Sequence, residues 1–150
     1  MLSFRALMAL HQAEEATIRA FVVPEKRDRL VSMLSTPKHR KEALGKFNHF
    51  AGWDTRYARQ LPSTANVLST LLKAGAPTMC HIISDDPALD GTDLPLAQAV
   101  AAAELYSFAS ILCCIPGQLA FVFDEICAPR ARLLLRRPNG RHQMNRINNG

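Results

Sequence analysis

No run among the 150 residues reaches the roughly 18–20 consecutive apolar side chains that a bilayer-spanning helix needs, so no membrane attachment is expected. No Cys-x-x-Cys pair occurs. The four cysteines, Cys80, Cys113, Cys114 and Cys127, have neither zinc-ribbon nor thioredoxin-like spacing. Gly-x-Ser-x-Gly, His-Glu-x-x-His, the phosphate-binding loop and the dinucleotide fingerprint are missing as well. A cysteine nucleophile needs a histidine base, and His81 is the one histidine in the region that reads as sheet. Catalysis therefore has little to build on, and the chain reads as non-enzymatic with no cofactor. The opening "MLSFRALMALHQAEEATIRAF" carries Glu14 and Glu15 and no small-residue cleavage site, so it reads as a helix of the mature protein. Reduced thiols and a cytoplasmic location follow as expectations.

Charge is the property that is unevenly spread. Residues 1–59 hold eleven Lys/Arg against six Asp/Glu; residues 60–128 hold Lys73 alone against seven acids; residues 129–150 hold six arginines and no acid. Such asymmetry points to an anionic partner, or to basic and acidic parts that face each other within the fold.

The first half patterns as helices. Phe4, Leu7, Met8, His11, Ile18 and Phe21 fall near one helical face, interrupted by Glu14 and Glu15. Pro24 suits the first turn of "PEKRDRLVSML", and Thr36 the N-cap of "PKHRKEALGKFNHF". Asp54 caps a short turn, and Ser63 or Thr64 caps "STANVLSTLLKAG", which ends at Gly75. After Pro77, "MCHIIS", "FASILCCI", "QLAFVF" and "ARLLLRR" read as strands, with the helix "LPLAQAVAAAELY" after the first. Pro116-Gly117 predicts a type II turn and a longer or bulged connection. The expected architecture is α+β: N-terminal helices, then β-α-β-β-β, with helices on one face of a mostly antiparallel sheet of about four strands. One domain over residues 1–137 and a disordered basic tail over 138–150 complete it. Adjacent strand residues point to opposite faces, so Cys113 and Cys114 cannot fill one core layer.

Two clusters are candidates for function. "HIISDDPALDGTDLPLAQA" places Asp85, Asp86, Asp90 and Asp93 within nine positions. As a calcium loop it fails, because alanine falls at the third and twelfth ligand positions. A metal-dependent phosphoesterase remains open, with Asp85, Asp90 and Glu125 converging on a divalent ion. The competing reading is architectural: Asp85 and Asp86 end the strand, Asp90-Gly91 turns, Thr92 or Asp93 caps the next helix, and Pro95 occupies its first turn. The second cluster is basic. Lys38, Arg40 and Lys41 on a helix surface, with Arg56 and Arg59 around Trp53 and Tyr57, could track phosphates and stack a base. A solvated helix face with Trp53 and Tyr57 in the core is the alternative.

"ISDDPALDGTDLPLAQAV" followed by "SILCCIPGQLAFVFDE" resembles a group of small uncharacterised bacterial proteins that share an I-S-E-x-x-x-L-D-G-x-x-x-P-L-x-x-A stretch and a later S-C-I-P-G-x-L. "LSTPKHRKEALGKFNH" belongs to the same resemblance, which spans roughly residues 20–136. It implies a bacterial cytoplasmic protein and no particular activity. Asp85 stands in place of the group's glutamate and Cys113 in place of a small residue, which weakens a catalytic role for either.

These readings lead to a binding or regulatory module for an anionic partner, nucleic acid first, using Lys38, Arg40, Lys41, Arg56 and Arg59. An anionic protein surface is a further possible partner. The alternatives are the phosphoesterase and a protein-protein regulator acting through the acidic half. The oligomeric state stays open.

Overall fold

The computed structural model describes residues 10–105, 108–124 and 131–138. Three helices come first: α1 (Gln12–Phe21), α2 (Pro24–Ser35) and α3 (Pro37–Lys46). Proline opens α2 and α3 as expected, where a missing N–H costs nothing. Thr36 stands at the N-cap of α3, but its hydroxyl donates back to the Ser32 carbonyl instead of capping. Then follow β1 (Ala58–Gln60), α4 (Val67–Lys73), β2 (Met79–Ser84), β3 (Asp93–Pro95), α5 (Leu96–Leu105), β4 (Ser110–Ile115), β5 (Leu119–Phe123) and β6 (Arg132–Arg136). Asn66, not Ser63 or Thr64, caps α4, its carbonyl Oδ1 accepting the Ser69 N–H at 2.9 Å.

All pairings are antiparallel, in the order β1-β6-β5-β4-β2-β3. The fold is α+β, with six strands instead of about four. The additional two are three-residue edge strands, β1 and β3, too short to show an alternation. At the hairpin of β4 and β5, Gln118 donates to the Ile115 carbonyl, Pro116 precedes Gly117 at φ +72°, and the register shifts between Cys113 and Ile115. This is the type II turn with its bulge.

Strand alternation sorts the core into two layers. Ile83, Ile111, Cys113, Ala120, Val122 and Leu135 face α1, α2 and α3. Cys80, Ile82, Leu112, Cys114, Phe121 and Phe123 face α4 and α5. Helices thus cover both faces, where one was expected: α4 and α5 bury Val67, Leu71, Leu96, Ala99, Val100 and Ala103 against the second. Cys113 and Cys114 fall in different layers as their adjacency requires. No helix among the described residues is long and apolar enough to cross a membrane.

Candidate functional site

Polar side chains stand where helix and strand periodicity put core residues, and they meet. Arg40 heads the stripe Arg40, Ala43, Leu44, Phe47, the i, i+3, i+4, i+7 spacing of one helical face, and the last three are buried. Glu14 lies likewise on the stripe with Ile18 and Phe21, and is itself buried. On β2, His81 shares the parity of Ile83, which faces the N-terminal helices. Three ionisable groups from α1, α3 and β2 are thereby turned into one layer.

Their geometry closes a chain of ion pairs. Arg40 Nη1 donates to Glu14 Oε1 at 2.7 Å and to the Leu34 carbonyl at 3.1 Å. Its Nε and Nη2 donate to Asp90 Oδ2 and Oδ1 at 2.8 and 2.9 Å. On the far side of Glu14, His81 Nε2 donates to Oε2 at 2.5 Å, and His81 Nδ1 donates to Asp93 Oδ1 at 2.9 Å. Ionised carboxylates only accept, so a ring held between two of them carries both protons. Burial alone would lower the His81 pKa, but hydrogen bonds to Glu14 and Asp93 outweigh it and hold the imidazolium above the ordinary range. Burial alone would raise Glu14, yet the bonds from His81 and Arg40 keep its pKa lowered. Hydrogen bonding to Asp90, helped by Glu14, raises Arg40 further against its own burial.

Two aspartates of the acidic stretch, Asp90 and Asp93, belong to this chain. Asp86 Oδ1 accepts the Ala88 N–H at 3.0 Å, and Leu89 and Asp90 donate to the Asp86 carbonyl. Gly91, at φ +75°, donates to the Ile82 carbonyl and returns the chain alongside β2. Asp90 Oδ1 also accepts the Ser84 N–H at 3.1 Å, and Asp85 Oδ2 accepts from Asn48 Nδ2 at 3.1 Å. Asp90 is consequently filled by Arg40 and the backbone, and Asp85 is turned to another partner. Glu125 lies outside the described residues, as do Cys127, the expected Phe4–Met8 helical face, and the tail beyond Pro138. The expected helix cap at Thr92 or Asp93 is corrected too: Asp93 and Pro95 belong to β3, where Asp93 pairs with His81, and the helix starts one residue later. A proline without an N–H is tolerated there because β3 is an edge.

His11, His81 and Asp93 bring three possible ligand atoms within 4.8 Å of one another. The rings, however, stack at 3.8 Å and 11°. A metal binds an imidazole nitrogen in the plane of the ring, and two near-parallel planes at that spacing share no point within bonding distance of both. His11 Nδ1 moreover accepts the Ala13 N–H at 3.1 Å, capping α1. The arrangement fits a lid over a buried ion chain and does not fit a cation centre.

The five basic residues singled out from sequence separate. Arg40 is consumed by Glu14 and Asp90, its side chain only 22% exposed, so it cannot serve a partner. Lys38 and Lys41 are exposed on the opposite side of α3. Arg56 is exposed but held by Asp54, Nη2 to Oδ2 at 2.8 Å, and hydrogen bonding to Arg56 pulls the Asp54 pKa down to about 2. Arg59 is exposed on edge strand β1. Trp53 is buried against Phe47 and Phe50, and Tyr57 lies beneath Arg137, 4.2 Å from ring centre to guanidinium carbon. Neither ring offers a base a free face in the way the sequence suggested.

A neighbouring group belongs to the same basic stretch of sequence, outside those five residues. Lys26, Arg29 and Lys46 surround Leu30, Met33 and Phe50 in a cleft between α2 and the end of α3. Their signal was the 26, 29, 33 spacing along α2, which puts two cations and a methionine on one side of that helix. The three described thiols are poor nucleophiles: burial pushes Cys80 up to about 11 and Cys113 up to about 12, and raises Cys114 as well. No family model matches the chain, and no curated protein or solved structure matches it.

Proposed function

We propose that the protein is a non-enzymatic module that binds nucleic acid through the outer surface of α2 and α3. One observation carries the reading: the acidic half of the chain does not neutralise this surface. Arg40 alone in these two helices reaches the acidic loop. Lys26, Arg29, Lys38, Lys41 and Lys46 are all exposed, and none has a carboxylate partner among the described residues. The two helices hold seven Lys/Arg against three exposed acids, Glu25, Asp28 and Glu42, and the net positive field attracts a polyanion and exchanges its counterions for side chains. The buried thiols and occupied carboxylates favour binding over catalysis.

The test is fluorescence anisotropy of the nuclease-treated protein with labelled RNA and DNA across a salt series. Affinity should fall steeply with salt, each phosphate contact adding about 0.7–0.9 to the log–log slope. Lys38→Glu with Lys41→Glu should weaken binding at least about tenfold at low salt and reduce the slope by about two. Lys73→Glu, on α4, should change nothing. Failure to bind either nucleic acid at low salt would remove the reading.

A further inference from the structure

The cleft between α2 and the end of α3 combines two surfaces that ordinarily stay apart. Its floor is apolar, made of Leu30, Met33 and Phe50, and its rim carries Lys26, Arg29 and Lys46. Glu25 is the one acid lining it. The volume is about 290 Å³, at the bottom of the roughly 300–1,000 Å³ range of ligand clefts, which suits a single flat group.

The floor is built rigidly. Phe50 meets Trp53 edge-on at 5.0 Å and Phe47 at 5.3 Å, and its ring tip lies over Gly52, where a side chain would collide with it. Lys26 Nζ lies over the Phe50 ring, 5.6 Å from its centre, a contact that a stacked base would displace, and Lys46 Nζ donates to the Met33 sulfur at 3.9 Å. An apolar ring flanked by three cations against one acid matches a flat aromatic group bearing phosphates on either side. Lys38 lies eight residues before Lys46, about 12 Å along α3 at the helical rise. Glu42 is exposed midway between them, yet Lys38 and Lys41 carry positive charge on past the cleft, as an extended polyanion requires and a lone small anion does not.

We infer that the cleft takes one unpaired base of a single-stranded nucleic acid, stacked on Phe50, with Lys26, Arg29 and Lys46 on the flanking phosphates. The inference rests on the nucleic-acid reading above and narrows it, because a duplex keeps its bases within its own stack.

The experiment compares two labelled probes of equal length and charge, a single-stranded oligothymidylate and an abasic phosphodiester chain, against the full-length protein. The oligothymidylate should bind about fivefold tighter or more, the lower end of what one stacked base contributes. It alone should alter the emission of Trp53, the single tryptophan and an edge-on neighbour of Phe50. Phe50→Leu should abolish the preference; Met33→Glu, which alters the floor without touching the aromatic cluster, should do the same, with circular dichroism verifying the fold. Arg29→Ala and Lys46→Ala should weaken both probes alike. Equal, salt-sensitive binding of the two probes would overturn the base-binding cleft and leave the polyanion surface standing. A preference that survives both floor variants would also overturn it. Binding of neither probe would overturn both readings.

Discussion

Arg40 and Asp90, fifty residues apart in sequence, meet fork to fork, Nε on Oδ2 at 2.8 Å and Nη2 on Oδ1 at 2.9 Å. The remaining terminal nitrogen of Arg40 reaches Glu14, so one guanidinium ties α1, α3 and the loop after β2. Bidentate geometry of this kind is specific to arginine, whose planar fork a lysine lacks.

Removing that fork strands two carboxylates. Arg40→Ala should destabilise the protein by about 3 kcal/mol, because buried Glu14 keeps only the His81 imidazolium and Asp90 loses its bidentate partner. Arg40→Lys should recover part of the loss and no more. Urea unfolding followed by Trp53 emission measures both, and equal stabilities for wild type and Arg40→Ala would contradict the assignment.

Glu14 and His81 act on opposite limbs of the stability profile. Glu14 is lowered in the fold from 4.5, so its contribution is present above pH 4.5 and is lost as pH falls through its folded value. His81 is raised from 6.5, so its contribution is complete below pH 6.5 and is lost as pH rises through its folded value. Both are in place between pH 4.5 and 6.5. Urea midpoints across pH should show His81→Gln flattening the alkaline decline and Glu14→Gln the acid one. An unchanged alkaline decline in His81→Gln would rule this assignment out.

Buried thiols should be unreactive in the native state. A Cys127→Ser background leaves Cys80, Cys113 and Cys114, all buried. The rise of Cys80 from 9.0 to about 11 alone reduces its thiolate fraction about a hundredfold near neutrality. Labelling by an aromatic disulfide should therefore be at least that much slower than in the urea-unfolded chain. Rapid native labelling of any of the three would contradict their placement.

Gly52→Ala tests the seat of Phe50. An added methyl would sit 2.8 Å from Cε1 and 2.9 Å from Cε2 of that ring. The ring is wedged between Phe47 and Trp53, so it cannot swing away freely. Destabilisation of about 1–3 kcal/mol is expected, with a change in Trp53 emission. A neutral substitution would mean that the ring is loosely held.

Much of the architecture was legible because periodicity records burial. The apolar stripes of α2 and α3, the run Met79–Ser84, and the adjacency of Cys113 and Cys114 each predicted an element or a face. What stayed hidden was pairing. Strands β1 and β3 contain three residues each and exist through their partners β6 and β2, so no local pattern announces them. Arg40 looked like a surface cation beside Lys38 and Lys41, although its spacing to Ala43, Leu44 and Phe47 already placed it inward. Glu14 looked like a break in a stripe when it was a member of it. An ion pair between distant segments leaves only half of its pattern at each end, and neither half is distinctive alone.

The short outer strands have a consequence for how copies of the chain meet. A long, flat, unpaired strand is a template on which a second molecule can continue hydrogen bonding. Here one margin offers three residues ending in a proline that has no N–H, and the other offers three that include exposed Arg59 and Gln60. Among the described residues, neither margin offers the long flat strand on which a ribbon of molecules would grow. Contact between copies at these two margins would accordingly rest on side chains instead of shared backbone.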